Sequence, residues 1–233
     1  MADFFGWVVR TVSFSLYLED WRGWLPEGAI TTSKPSWRIS AQLGKGMPAM
    51  LRRRLDDTGR ATCDILRELD PEAGLPLVHA SRHGGTADTL AMLENLQGGN
   101  PVSPTRFSMS VHNAILGVHS ISQSHHRPLQ ALGACGDEFD ALLYESFGYL
   151  MEGYPAVIAA FSESPLPSAY QGCTEHPGTA CVVGMRLTLN QGRQLTATKP
   201  THCAYPTPIT VMNWLNGDAP FLDGRSRWQL RQE

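Results

Sequence analysis

The stretch "LQALGACGDEFDALLYESF" carries the residue with the clearest chemical capacity in this chain. Cys135 follows the small-residue strand end Leu132-Gly133-Ala134 and precedes Gly136-Asp137-Glu138. A helical run follows, with apolar residues at Phe139, Leu142, Leu143 and Phe147. A strand-to-helix turn of this kind exposes a thiol at its tip and faces it to the helix N-terminus, a setting that favours a thiolate nucleophile. Asp137 and Glu138, in the first turn, stabilise the helix but oppose a thiolate beside them. Two readings of Cys135 stand: a working nucleophile, or only a cysteine in the right place.

No other cluster makes as good a case for chemistry. His79 and His83 lie around the loop-like "ASRHGG", and His125-His126 lie in the polar run "SQSHHRP". Neither pair has a carboxylate or thiol at zinc-ligand spacing, so no metal site and no cofactor is expected. The five cysteines (Cys63, Cys135, Cys173, Cys181, Cys203) are an odd count without CxxC spacing, which fits free thiols in a reducing compartment. A net charge of −3 gives no bulk attraction to nucleic acid or anionic lipid, so neither is expected as a partner. No apolar run approaches the roughly 18–20 residues that cross a bilayer. Met1-Ala2-Asp3-Phe4-Phe5 lacks the basic start and apolar core of a signal peptide, and a soluble cytoplasmic protein is expected. Arg52-Arg53-Arg54 reads as a solvated helix face that an acidic carrier protein could use.

The elements that must position Cys135 follow from periodicity. With 233 residues, 42% of them hydrophobic, the chain can bury one core and reads as one domain. The alternation through Val9, Thr11, Ser13 and Ser15 predicts a first strand, with a short helix or turn near residues 18–24. Residues 26–46 read as irregular. "MPAMLRRRLDDTGRATCDILREL" is the strongest helix, ended near Pro71. "GLPLVHAS" is a short strand buried on both faces. "TADTLAMLENLQGG" is a helix with a Thr or Asp cap, and "SVHNAILGVHSISQS" a third. "PLQALGAC" is a strand, "DEFDALLYESFGYLMEG" a fourth helix, and "PAVIAAFSES" and "TACVVGMRLTL" are strands that close as a hairpin-like pair. This alternation argues for an α/β fold with helices covering a mixed, mostly parallel sheet. After Leu189 the pattern weakens to one short helix in "ITVMNWLNGDAPF" and a polar tail. Trp214 and Trp228 there are read as covering the sheet.

From Ser103 to Cys135 the chain resembles β-ketoacyl synthases of the thiolase fold. Ser103, Pro104, Asn113, Gly117, Ser120, Ile121, Pro128, Ala134 and Cys135 carry the resemblance, at nearly the family's spacing. "LPLVHASRHGG", "PAVIAAFSES" and "HPGTACVVGMRL" extend it over roughly residues 5–190. "ASRHGG", "SPTRFSMSVHNA" and the single-half length are similar to short, synthase-N-terminal-like proteins of aryl polyene and related type II polyketide or fatty-acid-like systems. There the short protein is a chain-length-factor-like partner of a full ketosynthase.

The resemblance implies half of a thiolase-like fold over residues 1–190, with residues 191–233 an extension packed on the same domain. It also implies what is missing. A ketosynthase's second half supplies two histidines that stabilise the enolate formed on decarboxylation; after Leu189 this sequence has one histidine, His202, and no glycine-rich Asn motif. "HPGT" at 176–179 mimics one histidine setting but falls before the closing strand of the first half. No catalytic residue is therefore assigned, Cys135 being a positional match to the nucleophile only. The implied role is a chain-length-factor-like subunit in a heterodimer with a full-length ketosynthase, elongating chains on an acyl carrier protein. Ketosynthases pair through the strand leading to the nucleophile and the helix before it. That places Arg106, Phe107, Ser108 and Met109 beside the partner's acyl tunnel, and Val111, His112, Asn113 and Leu116 at or near the interface. The bland alternatives are plain core for Phe107, Met109 and Val111, and packed histidines at 112 and 119 on the third helix. Two other functions remain: a Cys135-dependent acyltransferase or thioesterase, although "GACGD" lacks the closing glycine of a nucleophile elbow, or a binding module for an acyl carrier protein alone.

Overall fold

The computed structural model describes residues 15–28, 42–200 and 202–231. Eight strands form a single sheet, β3-β2-β4-β5-β1-β6-β8-β7. They are β1 (Leu16–Trp24), β2 (Leu77–Ala80), β3 (Leu129–Leu132), β4 (Val157–Glu163), β5 (Cys181–Thr188), β6 (Arg193–Thr198), β7 (Leu222–Asp223) and β8 (Arg227–Leu230). Strands β3, β2 and β4 pair in parallel. β5 opposes both β4 and β1, so β1 to β4 all run one way and β5 against them. This is the expected α/β half of a thiolase-like fold with a mixed sheet, but parallel neighbours are confined to the β3-β2-β4 side, so among the described residues most pairings are antiparallel, not parallel as expected.

Side-chain alternation sorts the sheet's residues into two layers. On one face Val78, Ala80, Val157, Ala159, Phe161, Val183, Met185 and Leu187 pack against α6 (Glu138–Met151) and α7 (Pro208–Leu215). On the other, Leu77, Ile158, Ala160 and Val182 pack against α2 (Asp57–Leu69) and Leu116 of α5 (Ala114–Gln123). The approach of α2 is close: a Cβ at Gly184 of β5 would lie 2.2 Å from Ile65 Cγ2.

Several elements differ from the sequence reading. The alternation at residues 9–13 lies outside the described residues, and 18–24, expected as helix or turn, is β1 itself. Leu16 and Leu18 are buried there, and a register shift between Leu18 and Asp20 disguises the period. Gly192 makes the neighbouring turn possible: at φ +94° it brings its backbone so near that a Cβ would lie 2.1 Å from the Leu18 carbonyl oxygen. The strongest helix is two, α1 (Ala49–Arg52) and α2, because Asp56 leaves the helix to cap α2 by accepting the Gly59 N–H at 2.8 Å.

The third helix, expected over residues 110–124, is α5, and an unexpected short helix α4 (Pro104–Met109), capped by Ser103, precedes it with His112 in the turn between them. The helix α3 (Thr86–Gln97) starts from Gly85 without a side-chain cap; the Thr86 hydroxyl instead donates to the His83 carbonyl. The tail read as polar contributes β6, β7 and β8. Its anchor is Trp228, fully buried, whose Nε1–H donates to Asp140 of α6 at 3.1 Å. The same carboxylate accepts the Arg225 and Ser226 N–H groups. Trp228→Ala should therefore cost about 4 kcal/mol. Urea unfolding measures this, and a loss under about 1 kcal/mol would mean that the tail is not part of the core.

Candidate functional site

Cys135 lies in the turn between β3 and α6. The thiol is exposed and its backbone has φ +51°, a left-handed conformation uncommon outside glycine. The helix begins three residues later, at Glu138. Cys135 therefore does not open the helix as its sequence position suggested.

The helix end is taken by the chain's own carboxylate. Glu138 is fully buried and accepts the Ala134 N–H at 3.1 Å and the Gly136 N–H at 3.0 Å. Arg82, from the loop after β2, donates to it from Nε at 3.0 Å. Burial raises the Glu138 pKa, but the Gly136 N–H and the Arg82 guanidinium outweigh burial and hold it below the usual glutamate value. An ionised carboxylate thus occupies the amide groups on both sides of Cys135. A tetrahedral adduct on the thiol needs free N–H donors at its oxyanion; these two are engaged. Nor does the thiol make a hydrogen bond to any base among the described residues.

Arg82 knits the surroundings. Its Nη2 donates to the Gly136 carbonyl at 3.3 Å and the Pro206 carbonyl at 3.4 Å, and its guanidinium lies 5.8 Å from the centroid of the Tyr205 ring. Tyr205 in turn packs on Gly136, where a Cβ would come within 2.4 Å of Tyr205 Cδ1. The Arg82 N–H donates to Glu163 at the end of β4. Burial pushes Glu163 up to about 7, against the pull of Arg82. His176, of the "HPGT" stretch, does not mimic a catalytic histidine: its Nε2 meets the Ser164 carbonyl at 2.8 Å and its ring lies 5.4 Å from that of His83. Sequence reading singled out neither Arg82 nor Glu163. A cation after one strand and an acid ending another was the available signal, but nothing local says that they meet.

The residues expected at a partner fall into three settings. Arg106, Phe107, Ser108, Val111 and Asn113 are all exposed, Phe107 by 63% and Val111 by 46%. Arg106 pairs loosely with Asp88 at 3.4 Å. Met109 and His112 are half-buried: Met109 packs, as Leu51 and Ile115 do, against the cluster of Met47, Leu55, Cys63 and Val118, and His112 lies against Gly84 and Gly133. Leu116 stands apart, 1% exposed in the layer between α5 and the sheet. Beside them β3 is, among the described residues, an outermost strand bonded to β2 alone, half-buried along its whole length. Ile121 of α5 adds an apolar side chain that is 68% exposed.

Cys63 and Cys181 are buried, and burial pushes both thiols up, aided by Asp64 and Glu163 respectively. Among the described residues no three His, Cys, Asp or Glu side chains converge to hold a metal ion, and no helix is long and apolar enough to cross a membrane.

Two tests follow from the carboxylates. Glu138→Gln keeps the shape but removes the charge that Arg82 and the turn amides share, and should lower stability by about 3 kcal/mol in urea unfolding; an unchanged midpoint would remove Glu138 from its central place. For Glu163 the folded pKa lies above the ordinary 4.5, so the native state holds more protons than the unfolded chain between those values. The stability it contributes is complete below about pH 4.5 and is lost as pH rises through about 7, by up to about 3 kcal/mol. Comparing wild type with Glu163→Gln across pH 4.5–8 isolates this term, and parallel curves would contradict it.

Residues 21–212 match the family model for the β-ketoacyl synthase, N-terminal domain. A search of curated proteins gave no match. Among solved structures, a chain from a ketosynthase (ApeO) in complex with its chain length factor (ApeC), from Xenorhabdus doucetiae, superposes with a TM-score of 0.76 at 22% identity. The match covers 94% of this chain and 99% of that one. A β-ketoacyl synthase from Burkholderia phymatum STM815 superposes with a TM-score of 0.52 at 10% identity over 70% of this chain; the match spans 54% of that chain. At these identities the likeness is one of fold.

Proposed function

The chain belongs to the β-ketoacyl synthase N-terminal-domain family, and from that premise we propose that it is a chain-length-factor-like, non-catalytic subunit. It pairs with a full-length β-ketoacyl synthase in the cytoplasm and takes part in acyl or polyene chain elongation on an acyl carrier protein. Residues 1–190 act as the synthase-like half and residues 191–233 as an extension on the same domain. The observation that carries this reading is the Glu138 carboxylate, seated on the amides beside Cys135 where an acyl adduct would need free donors. On this reading the histidine pair that decarboxylation needs comes from the partner.

Two further features support the pairing. A chain of nearly this length superposes from a complex of a ketosynthase with its chain length factor. The open edge of β3 and the exposed Phe107, Val111 and Ile121 present backbone donors and apolar area together, a combination that soluble proteins usually cover. A synthase protomer would extend the sheet across β3 and bring its tunnel against α4, where Phe107 and Met109 bound the space for the growing chain.

Phe107→Ala and Met109→Ala together should weaken synthase binding at least tenfold, as expected for removal of large apolar side chains at an interface centre, and lengthen the products. Calorimetry and mass spectrometry of the products measure the two effects. Unchanged affinity and unchanged chain length would refute the role.

A further inference from the structure

Residues 164–180 join β4 to β5 across the end of the sheet where Glu163 pairs with Cys181. Leu166 is buried and seats the start of this segment. Beyond it, among the described residues, the hydrogen bonds of residues 167–179 run within that stretch, with His176 the exception. His176 reaches back to Ser164, whose hydroxyl donates to Asp56, the cap of α2, at 2.8 Å. Its ring is bonded at both nitrogens: Nδ1 accepts the Gly178 N–H at 2.9 Å, and Nε2 lies 2.8 Å from the Ser164 carbonyl. A carbonyl can only accept, so Nε2 carries the proton and Nδ1 does not. Only the neutral ring makes both bonds at once.

The surroundings favour that neutral ring. From the loop after β2, the His83 ring lies 5.4 Å away and Arg82 adds a fixed positive charge. Burial, and to a lesser degree Arg82, holds His176 below the usual histidine value, although the Ser164 carbonyl favours the charged ring. Burial, then His176 and Arg82, lowers His83 as well, against the pull of Glu138. The facing carboxyls offer little compensation. Glu163 of β4 titrates near 7 and is largely protonated where an imidazole would charge. Glu138 of α6 is committed to Arg82 and the Gly136 N–H, which leaves Glu175, beside His176 itself. The tail contributes Pro206, Thr207 and the uncharged Tyr205 phenol.

We propose that residues 164–180 form an acid-released strap over the Arg82–Glu163 cluster, with His176 as its latch. Protonation puts a hydrogen on Nδ1, where the Gly178 N–H now donates, so that bond is lost and the new cation faces Arg82 and His83. The folded value of His176 lies below the ordinary 6.5, so the closed segment binds fewer protons than the open one. The latch's contribution is therefore complete above about pH 6.5 and is lost as pH falls through the lower folded value. Opening bares Glu163 and Arg82, and Arg82 is the residue that holds the Cys135 turn through Glu138 and the Gly136 carbonyl. Pairing with a synthase plays no part in this device.

The strap carries its own reporter, the Glu175–His176 bond, which a glutamyl endopeptidase cuts at both pH 5 and pH 7.5. Cleavage there in the full chain is compared with cleavage of a free peptide spanning residues 168–183, which cancels the protease's own pH dependence. The ratio of the two rates should rise about tenfold from pH 7.5 to pH 5, the effect of roughly one hydrogen bond. His176→Gln, whose amide can still donate to Ser164 but does not titrate, should remove the rise. Glu163→Gln and His83→Phe should keep it, and the His176 Nδ1 resonance should titrate over the same range as the cleavage. A flat ratio, a rise that survives in His176→Gln, or a rise lost in His83→Phe would each overturn the proposal. So would an equal gain in cutting at the buried Glu138, which would mean general unfolding instead of a released strap. The assay uses the chain alone, so its failure is separate from failure of the subunit role.

Discussion

One buried carboxylate organises the end of the sheet where chemistry would occur. Glu138 joins the turn that carries Cys135 to the first turn of α6, and through Arg82 to the loop after β2 and to the carbonyl of Pro206. Three segments distant in sequence, residues 134–138, Arg82 and Pro206, meet on one ion pair whose acid is fully buried. Its energetics are asymmetric: forming such a pair gains little over an apolar contact, but removing either partner strands a charge in the interior. The turn is thereby fixed in a shape that offers a thiol to solvent and closes the adjacent amides to an oxyanion. An exposed cysteine and the engagement of the Ala134 and Gly136 amides on either side of it go together in this turn.

The consequences spread outward to both sides of the turn. On the tail side, Tyr205 and Pro206 lie against Gly136 and Arg82, while Asp140 and Trp228 hold the β7–β8 hairpin to α6. On the other side the sheet ends at β3 with its outer edge open, next to the apolar side chains of α4 and α5. The tail thus covers the face that α6 presents, while the β3 edge stays uncovered by the described residues. The fold thus engages the amides beside Cys135 and, among the described residues, leaves a neighbouring sheet edge open.

What could be read from the sequence follows from how many residues report each feature. The strands β2, β4 and β5 are nearly all buried, and the helices α2 and α6 show a full apolar stripe, so many positions agree. β6 and β8 each rest on one fully buried side chain, Leu195 and Trp228, amid polar neighbours, and one residue cannot define a period. The break between α1 and α2 was written in Asp56 and Gly59, a cap inside an apolar pattern that continues across it. At the site, the turn and the resemblance were legible around Cys135. The pairing of Arg82 with Glu138 was not, because their 56-residue separation is bridged only by the parallel arrangement of β2 and β3.

The most direct measurement of the central claim is acyl mapping in the assembled system. The chain is mixed with a full-length synthase and an acylated carrier protein, digested, and every cysteine peptide examined by mass spectrometry. The account predicts the acyl group on the synthase's cysteine and none on the peptide containing Cys135. Stoichiometric acylation of Cys135 would contradict it, since the Glu138 carboxylate would then be no barrier to the adduct.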